Sequence, residues 1–367
     1  MALFGTLGHL WRMGRAGFVL AREGVFANVD PAMLPPAARL PLALARLVAR
    51  GGNAPQTARL AVAIGRLGPS YVKLGQFLAT RPDVVGPAIV RDLEFLQDRM
   101  EPFPQAVAEK QVSAAFGCPL DEVYVEFGPS VAAASIAQVH RARVKDVNGE
   151  RDVAVKVLRP GVQSRFARDL SDMYAAAHFA QKHFPDADRL RPVEVVETLE
   201  RSVRMEMDFR LEAAAASEFA ENVAQDPDFK IPSVDWDRTT KEVLTLEWID
   251  GIPLTDLDAL KRAAHDLPRL GRIVIQSFLR HALRDGFFHA DMHQGNLFVD
   301  AQGCLVAVDF GITGRLGPKE RRFLAEILYG FITRDYQRVA EVHFEAGYVP
   351  ETFSIEDFAQ AVRALSL

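Results

Sequence analysis

The spacing of hydrophobic and polar positions changes character twice along the chain. Residues 38 to 66 are rich in Ala, Leu and Arg, good helix formers that predict one or two helices interrupted at Gly51-Gly52-Asn53-Ala54-Pro55. From Leu67 to Asp83 the positions Val72, Phe77 and Leu78 keep helical spacing, and Lys73 and Gln76 share a neighbouring face. Gly75 inside that helix costs about 1 kcal/mol relative to Ala, so close packing is expected there. On spacing alone Lys73 and Gln76 read as solvent-facing.

The period then shortens. From Asp121, Val123, Val125 and Phe127 alternate with Tyr124 and Glu126 and run to Gly128-Pro129-Ser130, which predicts a strand and a turn. The run Val131 to Val144 leads into a second strand, and Val153 to Leu158 forms a third that carries Lys156. Asn148-Gly149 supplies the hairpin turn between them. A helical insertion is expected to about Arg191, followed by one long polar helix from Pro192 to roughly Gln225 with Pro at its start. On that helix Asp208 and Glu212 share a face, whereas Glu206 points about 120° away from Glu212. Glu242 to Ile249 reads as a strand ending in the turn Asp250-Gly251-Ile252-Pro253. Leu267 to Asp285 reads as an amphipathic helix with Ile273, Ile275, Phe278 and Leu279 on its apolar side. Two short apolar runs, Leu297 to Val299 and Leu305 to Val308, suit strands.

Length and composition narrow the class. A chain of 367 residues exceeds one typical domain, so two packed units or one bilobal domain with an extension are expected. A formal net charge of -5 lacks the basic excess of a general nucleic-acid binder, so no nucleic-acid partner is expected. Cys118 and Cys304 alone make neither a disulfide framework nor a thiolate cluster, which suits the cytosol. No apolar run is long enough to span a bilayer, and the first residues lack the cationic region of a signal peptide. Before Lys73 stand Arg12, Arg15, Arg22, Arg39, Arg46, Arg50, Arg59 and Arg66 against Glu23 and Asp30. With Leu, Phe and Trp interleaved, this bias suits a membrane surface; the plainer reading is packed helices with solvated Arg.

The candidate chemistry lies between Asp285 and Gly311. Asp291 is followed five residues on by Asn296, and a D-F-G triplet stands at Asp309 to Gly311. This order resembles the catalytic half of a protein-kinase-like site, with Asp291 facing the accepting hydroxyl and Asn296 and Asp309 as hard oxygen donors for Mg²⁺. Lys156 on the third strand stands where a kinase Lys meets the α and β phosphates. One carboxylate of the polar helix is expected to pair with it. Backbone near Glu247, Trp248 and Ile249 would meet adenine at the hinge. Ala132-Ala133-Ala134-Ser135 replaces the Gly-rich loop, and its Cβ atoms keep the backbone from approaching phosphate as freely. His289 and His293 in H-A-D-M-H lack the Glu of H-E-x-x-H, and zinc is not expected.

With K-L-G-Q at Lys73 to Gln76, A-A-A-S at Ala132 to Ser135, V-A-V-K at Val153 to Lys156, E-M-D at Glu206 to Asp208, H-A-D-M-H-Q-G-N and D-F-G, the chain resembles the UbiB family of atypical kinases. These are also called aarF-domain-containing kinases and are linked to ubiquinone biosynthesis. The resemblance implies an α+β, bilobal protein-kinase-like fold with an N-terminal helical extension and a helical insertion in the small lobe. The expected segments are 1–66 as an N-terminal helical, membrane-surface part and 67–120 as the K-x-G-Q extension. A small lobe would cover 121–250, with its insertion at about 160–191, and a large lobe 251–367. Only 56 residues follow Gly311, so the large lobe is expected to be partial and a hydrophobic C-terminal anchor to be absent.

By the same resemblance Lys73, Gly75 and Gln76 belong to an extension that covers the site. Glu206 or Asp208 would meet it while Glu212 pairs with Lys156. The implied cofactors are ATP or ADP and Mg²⁺. The implied activity is an ATPase or a small-molecule or lipid kinase at the cytoplasmic side of the bacterial inner membrane. Its partners would be isoprenoid quinone precursors or lipid and the ubiquinone-biosynthesis enzymes. A pseudokinase scaffold for the ring-modifying machinery is the alternative.

Overall fold

The computed structural model describes residues 2–27, 29–33, 36–50, 59–93, 96, 100–147, 149–183 and 190–366. The expected break at Gly51 to Pro55, and Asn148 of the expected hairpin turn, lie outside them. The chain forms two compact units, Met1–Phe209 with Thr240–Thr245 and Arg210–Thr239 with Leu246–Leu367.

The first unit opens with helices α1 (Ala2–Arg22), α2 (Pro36–Val48), α3 (Arg59–Leu67), α4 (Pro69–Ala79), α5 (Pro82–Val85) and α6 (Pro87–Leu93). Gly75 has the packing reason its position requires. A Cβ there would lie 2.4 Å from Leu96 Cδ1 and 3.2 Å from Ile64 Cδ1, so α4 is held close to its neighbours through a missing side chain.

After α7 (Gln105–Phe116) and α8 (Leu120–Val123) comes a sheet in the order β1-β2-β3-β5: β1 (Glu126–Ala133), β2 (Ala137–Asp146), β3 (Gly149–Leu158) and β5 (Val243–Glu247). Ala142 and Val144 of β2 alternate with exposed neighbours, and with Val153, Val155 and Val157 of β3 they bury one face against Val112 of α7. Asp146 pairs with Gly149, whose φ of 108° suits glycine at a tight hairpin.

Two expectations fail in this stretch. Val123 closes the short α8, and Val125 is exposed, so the strand does not begin there. Gly128-Pro129-Ser130 is not a turn. β1 runs through it with register shifts on either side of Ser130, because a bulge absorbs the prolyl nitrogen that cannot join the ladder.

Beyond β3, α9 (Val162–His183) and α10 (Pro192–Glu206) pack together and bury Phe166, Leu170, Leu199 and Val203. Asp172 of α9 is buried; it accepts from Arg12 Nε (2.6 Å) and Nη2 (2.8 Å) and hydrogen-bonds His9 Nδ1 (2.5 Å). Burial alone would raise this carboxyl, but the bonds from Arg12 and His9 outweigh it and hold it below the usual carboxylate range. Ser70 of α4 donates to Asp169 at 2.6 Å. These bonds fasten α1 and α4 to α9.

The single helix expected from Pro192 to Gln225 is two. α10 ends at Glu206, and α11 (Phe209–Val223) starts after Met207 and Asp208. The Phe209 N–H leaves the helical ladder to donate to the Lys241 carbonyl at 3.0 Å, and the Phe209 ring is fully buried. Asp208 therefore precedes α11 and shares no helix face with Glu212. The division between the two units falls at this same junction.

In the second unit a sheet runs β4-β9-β8-β6, with β4 (Phe229–Lys230), β6 (Ile252–Pro253), β8 (Leu297–Val299) and β9 (Leu305–Ala307). The turn expected at Asp250-Gly251-Ile252-Pro253 is not formed there; Ile252 and Pro253 instead pair with Val299 and Phe298. The turn follows, closed by the Asp256 N–H to the Pro253 carbonyl at 2.9 Å. After α12 (Leu257–Arg262), α13 (Leu267–Arg280) buries Leu270 and Ile273. Ile275 is 63% exposed, off the face expected for it, because two residues from Ile273 is more than half a turn. The core gathers these residues with Phe219, Phe229, Leu260, Phe287, Leu297, Leu305 and Phe310. β7 (Phe287–His289) pairs with β10 (Thr313–Arg315), and α14 (Pro318–Thr333), α15 (Tyr336–Glu345) and α16 (Ile355–Leu365) complete the unit. Among the described residues no helix is long and apolar enough to cross a membrane.

Candidate functional site

The loop between β7 and β8 is built around His289. Its ring is buried against Phe310, 5.2 Å between centroids, and Phe310 packs on Phe219 at 5.4 Å. The Asp291 N–H donates to His289 Nδ1 at 3.1 Å, and His289 Nε2 reaches the Val308 carbonyl at 3.2 Å. A neutral imidazole protonated on Nε2 satisfies both bonds, so one ring holds the Asp291 backbone in register with the residue before Asp309. Sequence reasoning weighed His289 only as a metal ligand. Its place two residues before Asp291 is the signal that would have marked it as a positioning group.

Asn296 closes the loop from the other side. Its Nδ2 donates to the Asp291 carbonyl at 3.1 Å, which directs Oδ1 away from that bond. Its own carbonyl accepts from the Val308 N–H at 2.9 Å. His293 caps the short turn Gln294–Asn296 by accepting from the Gly295 N–H at 3.0 Å, and it lies 3.8 Å from Asp291, whose side chain is 48% exposed.

Asp309 is exposed and stands at φ 64°, a left-handed conformation that costs a non-glycine residue about 1–3 kcal/mol. Phe310 is buried beside it, so core packing holds the strained peptide while its carboxylate stays at the surface. Glu212 of α11 is nearby and buried: a Cβ on Gly311 would lie 4.0 Å from Glu212 Oε2 and 3.3 Å from Asp309 Oδ1. Asn296 and Asp309 are hard oxygen donors, and the backbone bond from Val308, the residue before Asp309, to Asn296 ties their two segments together; such a set suits Mg²⁺ completed by water and phosphate oxygens.

Glu247 is tied to Ser233. Its N–H donates to the Ser233 carbonyl (2.8 Å), and its carboxylate accepts from the Ser233 N–H (3.1 Å) and Oγ (3.0 Å). Glu247 thus has its N–H committed to Ser233. Trp248 Nε1 donates to Asp250 at 3.0 Å. No local pattern marks Ser233 in the sequence.

In the first unit Lys156 pairs across the sheet with Val139, and its Nζ stands 5.5 Å from the centre of the Phe209 ring. Ala132 and Ala133 finish β1, and only Ala134, Ser135 and Ile136 turn. That turn is stapled: the Met100 N–H donates to the Ala133 carbonyl (3.1 Å), and Arg159 Nε donates to the Ala134 carbonyl (3.1 Å). Arg159 was missed in the sequence, where it reads only as the residue after β3.

Lys73 of α4 meets Glu206 at the end of α10, 2.6 Å apart with side chains 15% and 11% exposed. The α4 motif is therefore joined through charge to the E-M-D segment within the first unit.

Residues 95–343 match the ABC1 atypical kinase-like domain. The chain is similar to "Probable protein kinase UbiB" of Marinobacter nauticus, 41% identical over 312 residues, 84% of this chain and 56% of that protein. The protein of the same name from Edwardsiella ictaluri is 40% identical over 323 residues, 86% of this chain and 59% of that one. The chain thus spans somewhat more than half the length of these relatives. Among solved structures, the complex of Rv3197 with erythromycin from Mycobacterium tuberculosis is similar at a TM-score of 0.55 and 27% identity, covering 81% of this chain and 74% of that one. The α+β fold is kinase-like, and the chain belongs to the UbiB family of ABC1 atypical kinase-like proteins.

Proposed function

We propose that the chain binds ATP with Mg²⁺ and acts as an ATPase or atypical kinase in support of ubiquinone biosynthesis. The observation that carries this reading is the backbone lattice through His289 and Asn296, which joins Asp291 and Asp309 while leaving both carboxylates exposed. In this reading Asn296 and Asp309 hold the metal, and Lys156 supplies the cation for phosphate oxygens. Asp291 orients the acceptor hydroxyl and takes its proton, and the segment Glu247–Ile249 receives adenine. Bound Mg²⁺ would neutralise charge on the phosphoryl group in transfer. The acceptor class is a lipid, an isoprenoid quinone precursor first.

Calorimetric titration with ADP tests it. Binding should require Mg²⁺, and Asp309→Asn should remove that requirement together with most of the affinity. Binding by the variant with unchanged Mg²⁺ dependence would overturn the metal assignment.

A second reading, a nucleotide-binding scaffold for the ring-modifying enzymes, is favoured by the stapled Ala133–Ala134 turn, which leaves little freedom to close over phosphates. ATP turnover with lipid vesicles and a phenolic precursor mimic, abolished in Asp291→Asn, would decide for the enzyme.

The membrane-surface role of residues 1–66 stands as part of the proposal. Leu40, Leu44 and Leu47 form an exposed stripe on α2 opposite buried Leu42, and Arg39 and Arg46 line its flank. Flotation with anionic vesicles should lose the protein when the three leucines become Ser.

A further inference from the structure

A groove of about 610 Å³ runs between α9 and α10, apart from every residue assigned above to nucleotide or metal. Phe166, Leu170 and Met207 are buried and make its apolar floor. The positions from Gln163 to Tyr174 follow one face of α9, which gives the groove a length of about 16 Å. This is the size and lining of a small-molecule site, mostly apolar with a few placed polar groups.

The polar groups at the two ends differ. At one end Tyr174 donates to Glu200 at 2.7 Å, and Arg204 bridges the same carboxylate at 2.6 Å. Burial, and then Glu200, push the Tyr174 hydroxyl up to about 12, so it stays a neutral donor. That end is satisfied by itself. At the other end Gln163 Nε2 is enclosed and has no hydrogen-bond partner among the described residues. A donor enclosed without an acceptor is destabilising, and such a group in a native fold asks for an explanation. Lys241 lines the same groove just past the end of α10, where its carbonyl holds the Phe209 N–H. With Arg204 and Glu200 cancelling each other, the lining keeps one net positive charge, at Lys241.

We infer that this groove binds a linear amphiphile, its hydrocarbon chain along Phe166, Leu170 and Met207 and its anionic oxygen head at Gln163 and Lys241. With the Gln163 amide turned toward the groove, the head supplies the acceptor that Gln163 lacks and the charge that Lys241 attracts, and the chain covers the apolar floor. Met207 directly follows Glu206, the partner of Lys73, so an occupied groove bears on the ion pair that joins α10 to α4. The inference does not depend on the nucleotide reading.

Dodecanoate below its micellar concentration is the probe, titrated by calorimetry into the full chain alongside methyl dodecanoate. Saturable one-to-one binding is expected, at least tenfold weaker for the ester. Ala167→Phe, at an exposed position on the groove wall, should weaken dodecanoate at least tenfold, and Lys241→Gln several-fold. Gln163→Leu should raise the thermal midpoint of the free protein while weakening dodecanoate, a pair of effects that loss of a purely structural residue does not produce. No saturable binding, or binding that Ala167→Phe and Lys241→Gln leave unchanged, overturns the site; an ester that binds as well as the acid overturns the assignment of its head group. Titration of ADP into the same samples reports separately on the nucleotide reading.

Discussion

The Lys73–Glu206 pair and the Asp291–Asp309 loop use charge in opposite ways. In the first, two opposite charges are withdrawn from water and satisfy each other at 2.6 Å. Desolvation there is offset only while both partners remain, so the pair holds α4 to α10 and serves cohesion. In the second, the carboxylates stay exposed, and one of them is held on a left-handed backbone by the burial of its neighbour Phe310. Here the packed core is used to keep charge available.

This contrast is breakable. Asp291→Asn should lower any ATP turnover by about 10²–10⁴-fold, the usual worth of a positioned acid-base group, with the denaturation midpoint unchanged; a matching loss of stability would erase the distinction. Lys73→Met should cost about 3–5 kcal/mol in chemical denaturation by stranding Glu206, and the double variant Lys73→Met/Glu206→Leu should recover most of it. If the single and double variants fall equally, the pair is not a unit. Gly75→Val should cost about 1–3 kcal/mol through overpacking against Leu96 and Ile64, again read by denaturation. Asp309→Gly should move the other way, gaining on the order of 1 kcal/mol as the strain at φ 64° is relieved, while nucleotide affinity falls.

The smallest effect concerns acid. Asp172 titrates below its ordinary value in the folded chain. Its contribution to stability is therefore complete above the unfolded carboxyl value near 4 and is lost as pH falls through the lower folded value. Removing Arg12 by Arg12→Leu leaves burial to dominate, so the variant should lose stability at neutral pH and, followed by circular dichroism, show a smaller further loss than the parent as pH falls below the unfolded carboxyl value.

Local pattern carried the fold a long way. The period of Val72, Phe77 and Leu78 marked α4, alternation marked β2 and β3, and the runs at Leu297 and Leu305 marked β8 and β9. Gly75 announced a close approach before any neighbour was known. Failures came where a distant residue decided. The string R-M-E-M-D-F-R contains no Pro or Gly, yet the helix breaks in it because Phe209 enters the core and gives its N–H to Lys241. Gly128-Pro129-Ser130 has turn chemistry, yet β2 holds it as a bulged strand.

The sequence by itself determined the identity and order of the chemical groups: Lys156, Asp291, Asn296, Asp309, and the lysine and carboxylate motifs at Lys73 and Glu206. Order along a chain specifies composition and spacing, which are local quantities. Only the tertiary structure decided that Lys73 meets Glu206, that His289 bridges Asp291 to Val308, that Arg159 pins the alanine turn, and that Glu212 sits beside Gly311. Each of these joins residues brought together by burial of apolar surface, a drive that is non-directional and leaves partner choice to the packed geometry.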